Sequence, residues 1–369
     1  MNETRQIPVS SPALIGREKE YVLDCMESSW ISSSGKYIGQ FESAFAGYLG
    51  VRHAIAVCNG TVALHLALLA LGIGPGDEVI VPTLTYVATA NAVKYAEATP
   101  VLAESEPGTG NIDPSGIERL ITAKTKAIIP VPLYGHPCDM DSIMAIAQKH
   151  GLKVIEDAAE ALGARYKGKL CGGIADMATF SFYGNKTITT GEGGMVVTNY
   201  DALAAKVRLL KGQGMDPLRR YWFPVVGYNY RMTNVQAAIG LAQIERIDEH
   251  VGRRKEIALW YSKALSGIKG ITLPVVKSYA EHSCWMYTVL VDKEYGMTRD
   301  ELMAHLAANN IETRPAFYPM HVMPVYCQDG SRFKTAEDFA SRGMNLPTFF
   351  SLTQGDVERV AGLIREAGR

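Results

Sequence analysis

Between about residues 50 and 200, short apolar runs alternate with segments of helical periodicity. The apolar runs are rich in valine and isoleucine and end in turn residues, which is typical of buried strands. Strands that alternate with helices predict parallel βαβ units, and therefore an α/β sheet with helices on both faces. The predicted strands lie within residues 53–60, 77–82, 99–104, 125–135, 152–160, 178–184 and 193–199, and the predicted helices within residues 61–73, 85–96 and 140–151.

A longer helical pattern at residues 233–265 is predicted to lead into a smaller C-terminal domain. That domain has strand candidates near WMYTVLVD and IETRPAFY, followed by helices. A chain of 369 residues is long enough for two domains. We therefore predict an N-terminal arm and large domain over residues 1–245 and a small domain over residues 246–369.

The stretch LGIGPGDE resembles part of a dinucleotide-binding fingerprint. Its glycines, Gly72, Gly74 and Gly76, follow a predicted helix and precede a predicted strand. The dinucleotide motif requires the opposite order, a strand and then a helix. We interpret the stretch as a turn that ends a helix.

Composition and charge disfavour several classes of function. A net charge of -1 offers no electrostatic basis for binding nucleic acid or an anionic membrane. No apolar run approaches the roughly 20 residues of a membrane span, and the start MNETRQIPVSS lacks the features of a signal peptide. The six cysteines form no C-x-x-C pair and are interpreted as reduced thiols of a cytoplasmic protein. The eight histidines lack ligand spacing, so no metal site is expected.

Four features near the ends of predicted strands point to one ligand. Residues 59–61, Asn-Gly-Thr, open a predicted helix, where backbone N–H groups favour an anion such as phosphate. Asp157 ends a buried run, where a carboxylate needs a partner such as a protonated ring nitrogen. Ser181 ends another run, and Lys186 follows five residues later, where a partly buried amine can form a Schiff base. The glycines at 191, 193 and 194 allow the chain to bend close to a bound group.

Each of these features alone has an ordinary structural explanation. Residue 59 and Asp157 are both suitable helix caps, Lys186 is compatible with a surface loop, and the glycines with a β-turn. Together, however, a phosphate cradle, a ring-nitrogen carboxylate and a Schiff-base lysine are what pyridoxal 5′-phosphate (PLP) requires of a protein. Their joint presence in an α/β chain favours a PLP site.

With these residues in view, the chain resembles the DegT/DnrJ/EryC1/StrS family of sugar aminotransferases. The resemblance spans nearly the whole chain and includes the blocks NGTVALHLAL, GDEVIVPTLTYVAT, VIEDAAEALGA and TFSFYGNKTITTGEGGMVVTN. It implies the PLP-dependent fold type I, or aspartate aminotransferase-like, architecture. That fold has a large domain with a mostly parallel mixed sheet and a smaller C-terminal α/β domain.

The resemblance also implies roles for individual residues around the cofactor. Lys186 would hold PLP covalently and move protons, and Asp157 would pair with the ring nitrogen. Tyr86 would stack on the ring, and Glu160 would lie near its phenolic oxygen. Many relatives have glutamine at position 160 and histidine at position 183, so no role is given to Tyr183. The phosphate would be bound by Gly60, Thr61, Ser181 and, from a neighbouring subunit, Asn229.

The family implies a homodimer with shared active sites, with a tetramer left open, and L-glutamate as the amino donor. SFYGNK, GQGMDPLRRYWFP and RPAFYPMH are most similar to members that act on GDP-4-keto-6-deoxymannose for cell-surface polysaccharide. A solvated loop is the alternative for LRRYWFP, and a packing role is the alternative for the lone histidine of YPMH. The expected substrate contacts are Trp30, Ser32, Arg219, Arg220, Tyr221 and His321.

Three alternative functions are considered for this sequence. A sugar 3-dehydratase of the same family has histidine in place of the lysine, so Lys186 favours amino transfer. A UDP- or dTDP-linked keto sugar stays open as the acceptor, because residue chemistry does not distinguish the nucleotides. A non-catalytic regulator with the PLP fold is disfavoured, because the chain keeps Lys186, Asp157 and Ser181 together.

Overall fold

The computed structural model describes residues 5–368, in which helices and strands alternate as predicted. The strands are β1 (His53–Val57), β2 (Glu78–Pro82), β3 (Thr99–Ala103), β4 (Thr125–Ile128), β5 (Lys153–Asp157), β6 (Arg165–Tyr166), β7 (Lys169–Leu170), β8 (Met177–Ser181), β9 (Gly194–Thr198), β10 (Ile271–Thr272), β11 (Ala280–Glu281), β12 (Tyr287–Val291), β13 (Arg314–Pro315) and β14 (Gly343–Leu346). The helices are α1 (Glu18–Glu27), α2 (Lys36–Leu49), α3 (Gly60–Ala70), α4 (Ala88–Tyr95), α5 (Pro114–Ile117), α6 (Met140–His150), α7 (Asp201–Lys211), α8 (Asn234–Ile244), α9 (Ile247–Leu265), α10 (Arg299–Ala308), α11 (Lys334–Arg342) and α12 (Gln354–Ala367).

Seven strands form the main sheet in the order β1-β9-β8-β5-β4-β2-β3. Only β9 runs antiparallel to its neighbours, β1 and β8, and the other pairs are parallel. The predicted mostly parallel mixed sheet is therefore confirmed. Since β1 and β8 both oppose β9, they run in the same direction as β5. The carboxyl ends of these three strands consequently lie at one edge of the sheet.

Helices cover both faces of this sheet, because alternate strand residues are apolar on opposite sides. On one face Phe180 packs against Phe45 of α2, with 5.0 Å between ring centroids. On the other face Ile155 and Val196 belong to a buried cluster with Leu66 of α3. The almost continuous burial of β5, β8 and β9 explains why each of them contains consecutive apolar residues.

A second, antiparallel sheet in the order β10-β12-β14-β13 packs with α9, α10 and α12 into a C-terminal unit with its own core. The start of the described chain joins this unit, because Ile7 pairs with Ile311 and is buried in the same core. The arm that was grouped with the large domain thus contacts the small one. The boundary predicted between residues 245 and 246 lies between α8 and α9 and stays a prediction.

The helical pattern at residues 233–265 is divided between two consecutive helices, α8 and α9. The helix breaks at Arg246, whose φ of -119° and ψ of 22° are not helical. The Arg246 guanidinium donates to the carbonyl of Ile15 and to the carboxylate of Glu249. The contact with Ile15 joins residues far apart in the chain, and apolar periodicity cannot reveal it.

The predicted turn at LGIGPGDE is confirmed. It joins α3 to β2, and Gly72 and Gly76 have φ values of 80° and 88°, a region that favours glycine. The described residues include all six cysteines, and none of them forms a disulfide. Within residues 5–368, no helix has both the length and the apolar character needed to cross a lipid bilayer.

Glu156 lies in β5 beside the predicted ring-nitrogen carboxylate and is completely buried. One oxygen accepts from the Gly172 N–H at 2.6 Å. Burial raises the pKa of Glu156 from 4.5 to about 7. The folded protein therefore keeps a proton that the unfolded chain loses above pH 4.5, so stability is lost as the pH rises through about 7.

We expect Glu156→Gln to reduce this pH dependence. Between about pH 5 and pH 8 the natural chain should lose about 2 kcal/mol more free energy of unfolding than the variant. Urea unfolding of both proteins at the two pH values measures the difference. An equal loss in both proteins would show that Glu156 is not the group that titrates.

Candidate active site

A cavity of about 500 Å³ opens at the carboxyl edge of the main sheet, between that sheet and the C-terminal unit. The strand-end features that the sequence analysis singled out converge here, because the strands that carry them end at the same edge. Every residue that was predicted to hold the cofactor from within one subunit lines the cavity: Gly60, Thr61, Tyr86, Asp157, Glu160, Ser181 and Lys186.

One end of the cavity is suited to an anion. Asn59 caps α3, and its side-chain oxygen accepts from the N–H of Val62 at 3.0 Å. The N–H groups of the first turn, from Gly60 onward, have no carbonyl partner within the helix and attract negative charge. Gly60 lies against the end of β8, where an added Cβ would come within 2.8 Å of the Ser181 Cβ. Glycine is what lets the helix start and Ser181 approach each other this closely.

Asp157 supplies a buried carboxylate at the centre of the cavity. Its Oδ2 accepts from the Thr89 hydroxyl at 2.7 Å, and its Oδ1 accepts from the Ala159 N–H at 3.4 Å. Burial raises the pKa of Asp157, while the Thr89 hydrogen bond and the Lys186 amine oppose the rise. No lysine, arginine or histidine nitrogen of the described residues lies within 4.0 Å of this carboxylate. A cationic ligand group would fill that role.

Lys186 projects into the same space from the loop between β8 and β9. Its Nζ lies 3.9 Å from Glu160 Oε1 and 3.9 Å from the ring centroid of Trp285. Burial lowers the pKa of Lys186, and the carboxylates of Glu160 and Asp157 oppose that shift. A lysine with a lowered pKa keeps more of its amine neutral, and a neutral amine is both a nucleophile and a base.

Residues 12–365 match the DegT/DnrJ/EryC1/StrS aminotransferase family. The chain belongs to this family. It is 57% identical to the GDP-perosamine synthase of Caulobacter vibrioides and 52% identical to that of Escherichia coli O157:H7, with 98% of each chain covered in both comparisons. Its structure resembles the PLP form of Spr1654 from Streptococcus pneumoniae, with a TM-score of 0.93, 28% identity and 99% of both chains covered. The predicted family and its α/β architecture are thereby confirmed.

The residues of this aminotransferase fit PLP. The start of α3 offers a site for a phosphate, Asp157 offers a carboxylate that lacks a cationic partner, and Lys186 offers the amine. PLP carries the complementary groups, which are a phosphate, a basic ring nitrogen and an aldehyde. The fit rests on Gly60 in particular, because a side chain there would occupy the space between α3 and Ser181.

Glu160, where many members of the family have glutamine, is completely enclosed. Its Oε2 accepts from the N–H of Tyr134 at 2.7 Å. Burial raises the pKa of Glu160 to about 7, even though the Lys186 amine lowers it. The aminotransferase thus has a carboxyl group that titrates near neutrality beside its lysine. Its contact with the cofactor's phenolic oxygen stays a prediction.

Three aromatic residues that the sequence analysis did not identify also line the cavity. Tyr134 stacks on Trp285 with 6.3 Å between centroids and on Phe317 with 5.3 Å, and Phe317 lies 5.8 Å from Tyr86. Tyr134 follows the carboxyl end of β4, so the strand-end rule would have found it. Trp285 and Phe317 come from the C-terminal unit, and no local pattern indicates them.

None of the six predicted substrate residues lines the cavity. Arg219 and Arg220 are exposed and lie over the rings of Trp222 and Tyr221. The exposed Asn229 accepts from the guanidinium of a neighbouring arginine at 3.1 Å. Their predicted roles, substrate contact for the arginines and phosphate contact in a neighbouring subunit for Asn229, stay predictions.

Trp30 and Ser32 are located where the chain passes the start of α8. Their backbone carbonyls each accept from Asn234 at 2.6 Å, one from its side-chain amide and one from its N–H. The Trp30 ring itself is more than half exposed. This ring is therefore free to contact a ligand, but neither residue lines the cavity.

His321 is completely buried and away from the cavity wall. Its Nδ1 lies 2.8 Å from the Thr83 hydroxyl, and its Nε2 lies 3.0 Å from a Glu337 carboxylate oxygen. The ring also stacks on Phe333 at 4.4 Å. Both ring nitrogens are engaged, so this geometry supports the packing alternative rather than the predicted substrate contact.

Proposed function

We propose that this aminotransferase uses PLP to transfer the amino group of L-glutamate to C4″ of GDP-4-keto-6-deoxy-D-mannose. The products would be GDP-perosamine and 2-oxoglutarate, formed in the cytoplasm for O-antigen or other surface polysaccharide. The observation that carries the proposal is the buried Lys186 amine beside two carboxyl groups and the anion-binding start of α3. The identity of the sugar is supported by the 57% and 52% identity to proteins named GDP-perosamine synthase.

The residues predicted to bind the cofactor divide the tasks of this reaction among them. Gly60, Thr61 and Ser181 would hold the phosphate, Tyr86 and Glu160 would contact the ring, and Asp157 would pair with its nitrogen. When bound, PLP accepts the electron pair left behind when a C–H bond of the amino substrate breaks. Lys186 Nζ takes that proton from the α-carbon of glutamate and later delivers a proton to C4″ of the sugar. The lowered pKa of Lys186 favours the neutral amine that begins this transfer.

A homodimer is part of the proposal. The exposed loop of residues 216–226 carries apolar side chains, among them Leu218 at 97% and Val226 at 88% exposure. Apolar residues grouped in this way on a surface are typical of an interface. Asn229 follows this loop directly, which agrees with its predicted contribution to the active site of a neighbouring subunit.

Val226→Lys is expected to shift the protein from dimer toward monomer and to lower amino transfer at least about tenfold, because a buried, unpaired charge weakens an apolar interface. Light scattering after gel filtration measures the mass. Leu259→Lys on α9 is the matched control, since Leu259 is 70% exposed at a different place. Equal masses for the two variants would contradict a dimer formed through this loop.

The proposed function is tested by the absorbance spectrum of the purified protein with PLP. Adding L-glutamate should replace the visible band of the lysine-bound cofactor with the band of its amine form. GDP-4-keto-6-deoxymannose should then restore the first band more efficiently than UDP- or dTDP-linked keto sugars. Restoration only by a UDP- or dTDP-linked sugar would overturn the identity of the nucleotide. Absence of any visible band with PLP present would overturn the proposal of PLP-dependent catalysis and favour a non-catalytic regulator.

Gly60→Ala is expected to weaken PLP binding about tenfold, a loss of about 1.4 kcal/mol. The new methyl group would meet the Ser181 side chain at 2.8 Å and push the helix start away from β8. Equilibrium dialysis gives the dissociation constant. Gly47→Ala on α2 is the control, because a Cβ there meets nothing within 4 Å. If both variants bind PLP equally well, the phosphate is not held at Gly60.

A further inference from the structure

Arg254 of α9 is buried, yet its guanidinium contacts backbone carbonyls rather than a carboxylate. Its Nη1 donates to the carbonyl of Trp285 at 2.8 Å and to that of Thr348 at 2.9 Å. Its Nη2 donates to the carbonyl of Lys186 at 3.3 Å. Within residues 5–368, no acidic side chain lies within 4.0 Å of this guanidinium. Burying a cation without a counter-ion costs folding free energy, so a functional explanation for Arg254 is needed.

Trp285 connects the same guanidinium to the lysine by a second route. Its indole Nε1 donates to the carbonyl of Asn185 at 2.9 Å, and its ring face lies 3.9 Å from the Lys186 Nζ. Arg254 and Trp285 therefore hold the carbonyls of two successive residues in the lysine loop. Both contacts come from the C-terminal unit, whereas the loop belongs to the main sheet.

We propose that Arg254 is a positioning residue for amino transfer, which holds the Lys186 carbonyl directly and the Lys186 amine through Trp285. This inference rests on the proposed role of Lys186. A lysine side chain has several rotatable bonds, and its amine reaches one place repeatedly only if its backbone and the surface beneath it are fixed. A displacement of about 1 Å at a reacting group can cost about 100-fold in rate.

The charge of Arg254 adds an effect that a neutral support would lack. Burial is the main cause of the lowered pKa of Lys186, the carboxyl groups of Glu160 and Asp157 oppose it, and the Arg254 guanidinium adds the smallest contribution, which also lowers this pKa. Removal of the cation should therefore raise the pKa of Lys186. Arg254→Lys keeps the cation but loses the forked donors. It should leave the pKa of Lys186 nearly unchanged and yet no longer hold the Lys186 backbone in place.

Arg299 of α10 offers a matched control for a purely structural role. It is buried in the same C-terminal unit, and its Nη1 donates to the carbonyls of Ala340 and Gly343 at 3.1 and 3.0 Å. None of its hydrogen bonds reaches the lysine loop. Loss of Arg299 should therefore destabilise the C-terminal unit without changing Lys186.

The test compares Arg254→Met, Arg254→Lys and Arg299→Met in the full-length protein. Before PLP is added, acetic anhydride labels neutral amines, and mass spectrometry gives the labelling of Lys186 as a function of pH. Its midpoint should move to higher pH in Arg254→Met only. In the PLP-loaded proteins, kcat should fall at least about tenfold in both Arg254 variants, with KM changed by less than about threefold, and stay near normal in Arg299→Met.

Equal effects of Arg254→Met and Arg299→Met on the labelling midpoint and on kcat would overturn the proposal, because Arg254 would then support only the fold. If Arg254→Met does not fold, the kcat values of Arg254→Lys and Trp285→Phe become the test. An unchanged kcat in both variants would overturn the proposal. A shifted midpoint in a protein that transfers no amino group to any keto sugar would support the contact with Lys186 and refute the proposed function instead.

Discussion

Replacing Lys186 with alanine is expected to lower the rate of amino transfer at least about 10⁴-fold, because in the proposed function one amine would both attach the cofactor and move the proton. The amine is buried and lies 3.9 Å from Glu160, so its removal leaves the neighbouring carboxyl groups without their amine partner. Formation of 2-oxoglutarate from L-glutamate measures the rate. Borohydride reduction followed by mass spectrometry shows whether PLP is attached, and the variant should carry none.

Lys211→Met is the matched control for this change. Lys211 is nearly as buried as Lys186, with 15% of its side chain exposed against 13%. It donates to the Ala56 carbonyl at 2.8 Å and to Glu42 at 3.2 Å, but it does not line the cavity. This variant should lose stability and keep its attached PLP. PLP on the Lys186→Ala protein, or its absence from the control, would contradict the assignment.

Asp157→Asn has the second largest expected effect, a fall in kcat of about 100- to 1,000-fold, similar to the loss of one preorganised electrostatic contact at a transition state. Asparagine keeps the shape and can still accept from Thr89, which donates to Asp157 at 2.7 Å. It removes the negative charge that, in the proposed function, would keep the cofactor's ring nitrogen protonated. Single-turnover rates with L-glutamate measure the effect, and PLP binding should weaken much less than kcat.

Asp176→Asn separates this electrostatic role from a structural one. Asp176 is a mostly buried carboxylate at the opposite edge of the same sheet, where it accepts from the Val154 N–H at 3.0 Å and from Lys153 at 3.1 Å. Its loss should lower the melting temperature and leave kcat within about threefold of normal. If the two variants lost activity equally, Asp157 would be important to the sheet rather than to the ring nitrogen.

Much of the site was predictable because its parts are local. Asp157 and Ser181 are the last residues of β5 and β8, and Gly60 is the first residue of α3. Apolar runs mark where strands end, and the carboxyl ends of parallel strands meet at one edge. The sequence therefore placed these residues together without any knowledge of distances. Their chemical roles came from the family resemblance, and the variants above test them.

The meeting of these residues at one edge of the sheet depends on the strand order, which hydrophobic periodicity does not reveal. The antiparallel β9 lies between β1 and β8, and this arrangement turns the end of β1, and with it the start of α3, toward Asp157. The break between α8 and α9 lies at Arg246, whose guanidinium contacts the distant Ile15 carbonyl, and hydrophobic periodicity does not mark it. Sheet order and helix breaks of this kind are decided by packing across the chain.

The sequence by itself determined the α/β class, the strand ends, and Lys186, Asp157 and Gly60 of the cavity. Each of these features depends on a local pattern of a few residues. Only the tertiary structure decided that Trp285 and Arg254 hold the lysine loop, that His321 is enclosed, and that Phe317 of the C-terminal unit lines the cavity. Trp285 lies about a hundred residues from Lys186 along the chain, and hydrophobic periodicity reports only on neighbours within a helix or strand. Contacts between such distant residues arise when the two units pack together.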